Sequence, residues 1–177
     1  MAARPSRHAK PASGTHRLRI IAGRWRGRRL EFPATEGLRP TSDRVRETLF
    51  NWLAPMITGA RCLDLFAGSG ALGIEALSRG ASHVVMVDNN TTVVSQLHDH
   101  LATLHAQNAQ IIHANALGYL QSVPEQGFDV VFLDPPYHKN LLAPCCELLR
   151  RPGWLKPGAH IYLETERDLP LTMLALN

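Results

Sequence analysis

Two segments of the chain bring together residue types that chemistry uses. The first is Asp134-Pro135-Pro136-Tyr137, which follows the apolar run Phe128–Leu133. Two consecutive prolines hold the backbone extended and donate no N–H, so nearby carbonyls stay free to accept. A carboxylate, free carbonyls and an aromatic ring in one rigid loop make a receptacle for a flat base that carries an amino group. Such a nitrogen is a weak nucleophile because its lone pair is delocalised into the ring. It turns tetrahedral and positive when it attacks a methyl sulfonium. The Asp134 carboxylate and the Pro135 carbonyl can accept its N–H bonds and favour that change electrostatically. Tyr137 can stack on the base, an interaction of roughly 1–3 kcal/mol. The base must first be splayed out of its helix to reach the loop.

The second segment is Asp64-Leu65-Phe66-Ala67-Gly68-Ser69-Gly70, with Gly73 beyond it and Asp88 twenty residues past Gly68. Glycines let a backbone turn sharply and approach a ligand closely. A carboxylate at the position of Asp88 can accept both ribose hydroxyls of an adenosine. Gly68, Gly70 and Gly73 satisfy G-x-G-x-x-G, so a NAD(P) oxidoreductase is a rival on this loop alone. Two features favour S-adenosylmethionine instead. Asp64, ahead of the glycines, repels a pyrophosphate and suits the cationic amino group of a methionine moiety, and the Asp134 loop supplies the matching acceptor. No hydride-transfer partner is apparent. Asn115 and Ala116 offer a side chain and an N–H for the adenine, a weaker signal. His98 and His100 are two apart on a helix and face different ways, and the remaining histidines show no ligand spacing, so no metal site is expected.

These loops must be held by elements. From residue 61 the pattern alternates strand and helix: strands at Cys62–Phe66, Val84–Val87, Gln110–His113, Val130–Leu133 and Ile161–Leu163, and helices at Leu72–Arg79, Thr92–His105 and Leu141–Leu149. Apolar strands alternating with amphipathic helices imply a doubly wound α/β fold, a Rossmann-like parallel sheet with helices on both faces. Open sheets of this kind bind ligands at the carboxyl ends of their strands, near the switch between strands one and four. That placement puts Asp134 and Gly68 in one crevice. Ahead of residue 61, Thr41 to Asp43 offer N-cap oxygens. Val45, Leu49, Trp52 and Leu53 then define one apolar face of a helix over residues 43–54 that Pro55 ends, with Arg44 and Arg46 off that face.

Composition bounds the rest. The chain of 177 residues carries a net charge of +4, but residues 1–50 hold twelve basic and four acidic residues, a net +8. The remainder, with seven basic and eleven acidic residues, carries −4. A basic front on a mildly acidic body suits a polyanion. Residues 1–16 bury little and are expected to be a disordered basic tail. Residues 17–36 form a β-hairpin, from Leu18–Ile21 and Arg28–Phe32 around Gly23-Arg24-Trp25-Arg26-Gly27. With Trp25 among Arg24, Arg26, Arg28 and Arg29, the hairpin suits base stacking and phosphate contact. Residues 37–177 form the catalytic domain. No apolar run reaches the ~18 residues that span a bilayer, and the polar basic start is not a secretory signal. Cys62, Cys145 and Cys146 form no C-x-x-C pair and no even framework, which points to a reduced, cytoplasmic protein without structural zinc.

Together, Asp64 to Gly70, Asp88 and Asp134 to Tyr137 resemble the amino-group-specific class I methyltransferases. Arg19-Ile20-Ile21-Ala22-Gly23-Arg24-Trp25-Arg26-Gly27-Arg28, and the stretch from Gly37-Leu38-Arg39-Pro40-Thr41-Ser42-Asp43-Arg44 through Leu53, resemble the RsmD family more narrowly. The similarity runs from residue 18 to about 165. It implies methylation of guanine N2 in 16S rRNA of the bacterial small ribosomal subunit, with S-adenosylmethionine as cofactor; a monomer is expected, although nothing in the sequence bears on dimerisation. It implies that Asp64, Gly68 and Gly70 hold the methionine end and ribose, with Phe66 in the same cofactor set. Asp88 takes the ribose hydroxyls, Asn115 and Ala116 lie by the adenine, and Asp134 to Tyr137 receive the guanine. Arg39 and Thr41 lie near the cofactor, Arg44 near the target, and the hairpin docks on RNA. A DNA amino-methyltransferase and a non-catalytic RNA-binding protein are the other readings. The class has seven strands, the last two an antiparallel pair after strand five. Only Leu171–Leu176 follows here, so strands six and seven are expected to be missing, with the edge of strand five left open.

Overall fold

The computed structural model describes residues 15–33 and 41–165. A two-stranded antiparallel hairpin, β1 (Thr15–Arg19) and β2 (Arg29–Pro33), leads into helix α1 (Asp43–Ile57). The main sheet is built from β3 (Arg61–Asp64), β4 (His83–Asp88), β5 (Ala109–His113), β6 (Phe128–Leu133) and β7 (Leu155–Leu163). All are parallel, in the order β5-β4-β3-β6-β7. Helices α2 (Ala71–Ser78), α3 (Thr91–Leu104), α4 (Ala116–Leu120) and α5 (Leu142–Leu149) fill the crossovers. The strand order reverses between β3 and β6, which opens a crevice at their carboxyl ends.

The sheet is buried on both faces, and strand alternation divides the core. Cys62, Val84, Met86, Val130 and Phe132 point to one side, where they meet the hairpin, α1, α2 and α3. Leu63, Val85, Val87, Val131 and Leu133 point to the other, against α4, α5 and Trp154. A period of two with both faces apolar produces the near-continuous hydrophobic runs of β4 and β6. The strand starts lie one to six residues earlier than the apolar runs suggest. Pairing extends over polar positions such as Arg61 and His83, and β7 begins at Leu155 with an irregular register between Phe128 and Val130. Helix α4 is not foreseen in the sequence, because five residues carry too little periodicity.

Helix α1 departs from the expected pattern in two ways. It runs through Pro55 to Ile57, whose buried side chain secures the last turn in the core. Its buried face is Arg46, Leu49, Phe50, Leu53 and Ile57, whereas Val45 and Trp52 are exposed, the latter 73 %. Arg46 is 1 % exposed because Glu75 of α2, also fully buried, needs cations beside it. Glu75 accepts the N–H groups of Ile21 and Ala22 at 2.9 and 3.0 Å and the Arg79 Nε–H at 2.8 Å. Arg46 in turn donates to the Arg19 carbonyl at 2.9 Å and to Asp43 at 2.6 Å. One satisfied buried carboxylate thus ties the hairpin, α1 and α2 together.

The hairpin is part of the core, not an appendage. Leu18, Ile20, Trp25, Leu30 and Phe32 are all buried in the cluster beneath it. β1 takes in Thr15 and His16, so the segment without structure that the composition suggests does not reach residue 16. Its remaining residues, 1–14, lie outside the described residues. At the hairpin turn Gly23 has φ +80°, and a Cβ there would lie 1.9 Å from the Ser78 carbonyl oxygen. Arg24 N–H donates to that same oxygen at 2.7 Å, and Trp25 N–H to the Ser78 hydroxyl at 3.1 Å. Gly23→Ala is therefore expected to cost roughly 3 kcal/mol through backbone strain and overpacking. Urea unfolding should show this as a lower midpoint at unchanged slope.

Labelled in chain order, the sixth and seventh strands are present as β6 and β7. The antiparallel pair anticipated beyond the fifth strand of the sheet would fall after residue 165, outside the described residues.

Candidate active site

The carboxyl ends of β3, β4 and β6 each carry an aspartate: Asp64, Asp88 and Asp134. All three line one cleft of about 890 Å³. Asp64 is buried at 2 % exposure and accepts the Gly73 N–H at 3.0 Å. Burial, and then the nearby Asp134 and Asp88 carboxylates, push its pKa up to about 7, against the lowering effect of the Gly73 and Phe66 N–H groups. Asp88 accepts Gly68 N–H at 2.9 Å and Asn90 N–H at 2.9 Å, one on each oxygen. Each oxygen keeps a lone pair for a hydroxyl.

The glycine loop between β3 and α2 owes its shape to this acid set. Gly68 lines the cleft. Gly70 does not: it caps α2 at φ +78°, and a Cβ there would strike Ile74 and Leu97 at 2.7 Å. Gly73, inside α2, makes room for Met86, whose sulfur would lie 2.7 Å from an added Cβ. The third glycine of the apparent dinucleotide pattern is therefore a packing residue. Two of the loop's N–H donors point at Asp64 and Asp88 rather than into open space. A pyrophosphate would meet carboxylates where that pattern needs free donors.

Beyond β5, Asn115 caps α4 and accepts Gly118 N–H at 2.7 Å, so its carbonyl oxygen is already engaged. Asn115 and Ala116 line the cleft, and Leu117, which the sequence did not single out, adds apolar wall beside them. Phe66 and Ala114 extend that apolar lining, a surface for a flat ring. Asn89, Asn90 and Lys139 also line the cleft and were not anticipated. The signal for Asn90 is local, a helix N-cap two residues past Asp88.

Asp134, Pro135, Pro136 and Tyr137 form the opposite wall. Thr41, just ahead of the α1 cap Ser42, donates its hydroxyl to Asp134 at 3.4 Å. Burial first, and then the neighbouring Glu164, hold the Asp134 pKa up at about 6. Tyr137 is 55 % exposed at the rim. Arg39 lies outside the described residues.

The basic front divides. Arg24, Arg26, Arg28, Arg29 and Arg44 are exposed. Trp25 is not available for stacking on a base. It is 6 % exposed, because the turn seats on Ser78 and carries the ring into the core, with the Arg24 guanidinium 5.7 Å from its centroid. Arg17 and Arg19 are paired with Glu31 and Asp43.

Comparison with known proteins adds relationships to this geometry. A family model described as Conserved hypothetical protein 95 matches residues 18–176. The chain is 49 % identical over 167 residues to Ribosomal RNA small subunit methyltransferase D of Escherichia coli (strain K12), covering 93 % of this chain and 83 % of that protein. It is 54 % identical over 157 residues to the protein of the same name from Haemophilus influenzae, covering 87 % and 81 %. The solved structure of the yhhF protein from Escherichia coli superposes with a TM-score of 0.79 at 48 % identity, over 88 % of this chain and 85 % of that one.

Proposed function

The chain belongs to the RsmD family, matched as Conserved hypothetical protein 95, and on that premise we propose that it methylates guanine N2 in 16S rRNA of the small ribosomal subunit, using S-adenosylmethionine. The observation that carries the reading is the convergence of Asp64, Asp88 and Asp134 on one cleft. When bound, the cofactor supplies an electrophilic methyl on a sulfonium. The residues present fit it. Asp64 suits the α-ammonium of the methionine end. Asp88 keeps lone pairs for the ribose, and Ala116 and Leu117 flank a place for the adenine. Asp134 and the Pro135 carbonyl accept the amino hydrogens of a splayed guanine, and Tyr137 stacks on it. Thr41 holds the Asp134 carboxyl from the α1 side. The names of the relatives support rRNA of the small subunit as substrate, and the carboxylate-lined cleft supports the cofactor over NAD(P).

The direct test is methyl transfer to small subunits, naked 16S rRNA and duplex DNA, with the modified nucleoside identified by mass spectrometry. N2-methylguanosine formed fastest on ribosomal RNA is expected. Faster transfer to DNA would make it a DNA amino-methyltransferase.

The Asp64 carboxyl gives a second test. Its folded pKa of about 7 lies above the ordinary aspartate value of 3.8. Its stabilising contribution is therefore full below pH 4 and lost as pH rises through 7. A bound ammonium reverses this preference, because it favours the ionised carboxylate. Cofactor affinity is thus expected to strengthen with pH, up to about tenfold per unit below 7. It should level off above the Asp64 pKa of about 7 and weaken once the cofactor's own α-amino group loses its proton, near 7.7–8.0. Titration calorimetry in buffers of different ionisation heat would reveal the accompanying proton release. A pH-independent affinity would remove Asp64 from this role.

A further inference from the structure

Glu164 stands at the carboxyl end of β7, beside Asp134, and so far enters only as a neighbour of that carboxyl. Its N–H donates to the Leu133 carbonyl at 2.9 Å, which fixes it one strand over from the Asp134 loop. The Tyr162 hydroxyl donates to its Oε2 at 3.4 Å. Its carboxyl lies close enough to raise the Asp134 pKa. Glu164 lines a smaller hollow that shares Pro135, Pro136, Tyr137, Lys139 and Leu141 with the main cleft. The base receptacle therefore has two carboxyls side by side, of which only one is needed to accept the hydrogens of an amino group.

The second carboxyl has a chemical use that depends on the base. Next to its amino group, guanine carries N1–H, a donor. Adenine beside N6 and cytosine beside N4 carry a bare ring nitrogen, an acceptor. A carboxylate in that place accepts from guanine and faces a lone pair on either of the others. We propose that Glu164 is a specificity-determining residue that accepts the N1–H of the target guanine while Asp134 and the Pro135 carbonyl accept its N2 hydrogens. The proposal rests on the guanine-N2 reading above and explains how a loop that suits any amino base would select one.

The probes are guanosine monophosphate and the monophosphate of 2-aminopurine riboside, which keeps the 2-amino group but presents a bare N1. Each is used to inhibit methyl transfer from S-adenosylmethionine to small subunits. Wild-type protein is expected to prefer the guanosine nucleotide by roughly ten- to a hundredfold. In Glu164→Gln the preference should fall to near parity, since a carboxamide can turn its NH2 toward the bare nitrogen. Calorimetric affinity for S-adenosylmethionine should be unchanged in the variant, because Glu164 lies outside the cofactor cleft. Equal inhibition by the two nucleotides in the wild type, including none by either, overturns the proposal without any variant. So does an unchanged preference in Glu164→Gln, or a parallel loss of cofactor binding, which would make the residue structural. Failure of the guanine-N2 reading registers separately, as the absence of N2-methylguanosine from the wild-type product.

Discussion

Asp134→Ala is expected to lower kcat for methyl transfer by roughly 10²- to 10³-fold, the usual consequence of deleting one preorganised group that meets developing charge. In the proposed reading Asp134 meets the positive charge that grows on the attacking nitrogen, so its loss should act on the transition state more than on ground-state binding. Cofactor binding should persist, since Asp64 and Asp88 hold the other end of the cleft. The pH profile adds a reading that a folding defect would not produce. Below the Asp134 pKa of about 6, the wild-type rate should fall about tenfold per unit as the carboxylate takes up its proton. Asp134→Asn keeps a neutral acceptor, so it should retain more activity than the alanine variant and lose that acid limb. Single-turnover rates on small subunits from pH 5 to 8 would measure both effects. Wild-type kcat in Asp134→Ala would show the chemistry to be elsewhere.

The sheet and the acid-bearing loops are legible in the sequence because their signals are local. Val84–Val87 and Val130–Leu133 are apolar throughout, as strands buried on both faces must be. Asp64, Asp88 and Asp134 fall where such strands end, and the fold then requires that they meet. What stays hidden depends on partners distant in sequence. Arg46 reads as a residue off the apolar face until Glu75 is placed beneath it, and nothing local marks Glu75 itself, because the Ile21 and Ala22 N–H groups reach it only through the hairpin. The apolar face expected of α1 fails for the same reason. Val45 and Trp52 match the helical period as well as Phe50 does, and only the tertiary arrangement decides which are covered. Trp25 reads as a stacking ring because arginines surround it. The Ser78 anchor that turns it inward is 53 residues away. Glu164 has no local signal either, since its meaning comes from the strand beside it.

Replacing Arg24, Arg26, Arg28 and Arg29 together by glutamine should weaken RNA binding by roughly 10²- to 10³-fold, at about 1 kcal/mol for each exposed arginine–phosphate pair. All four are exposed, and Arg24, Arg26 and Arg29 have no carboxylate partner among the described residues, so their charge is free for phosphate. Arg28 donates to the Thr103 carbonyl at 3.1 Å, an exposed hydrogen bond that contributes little to the fold. The slope of log affinity against log salt should flatten by about 3, near 0.7–0.9 for each phosphate released. Substitution separates charge from fold in a way that removing the hairpin cannot. Deletion of residues 1–32 takes Leu18, Ile20, Trp25, Leu30 and Phe32 out of the core and strips Glu75 of two backbone donors. A buried carboxylate left with fewer donors would destabilise the cofactor domain itself. The four-glutamine variant should therefore keep its melting temperature and its cofactor affinity while its salt slope falls. An unchanged slope would move the RNA-binding surface away from the hairpin, leaving Arg44 and the outer face of α1, with its exposed Trp52, as the next charged and aromatic surface to test.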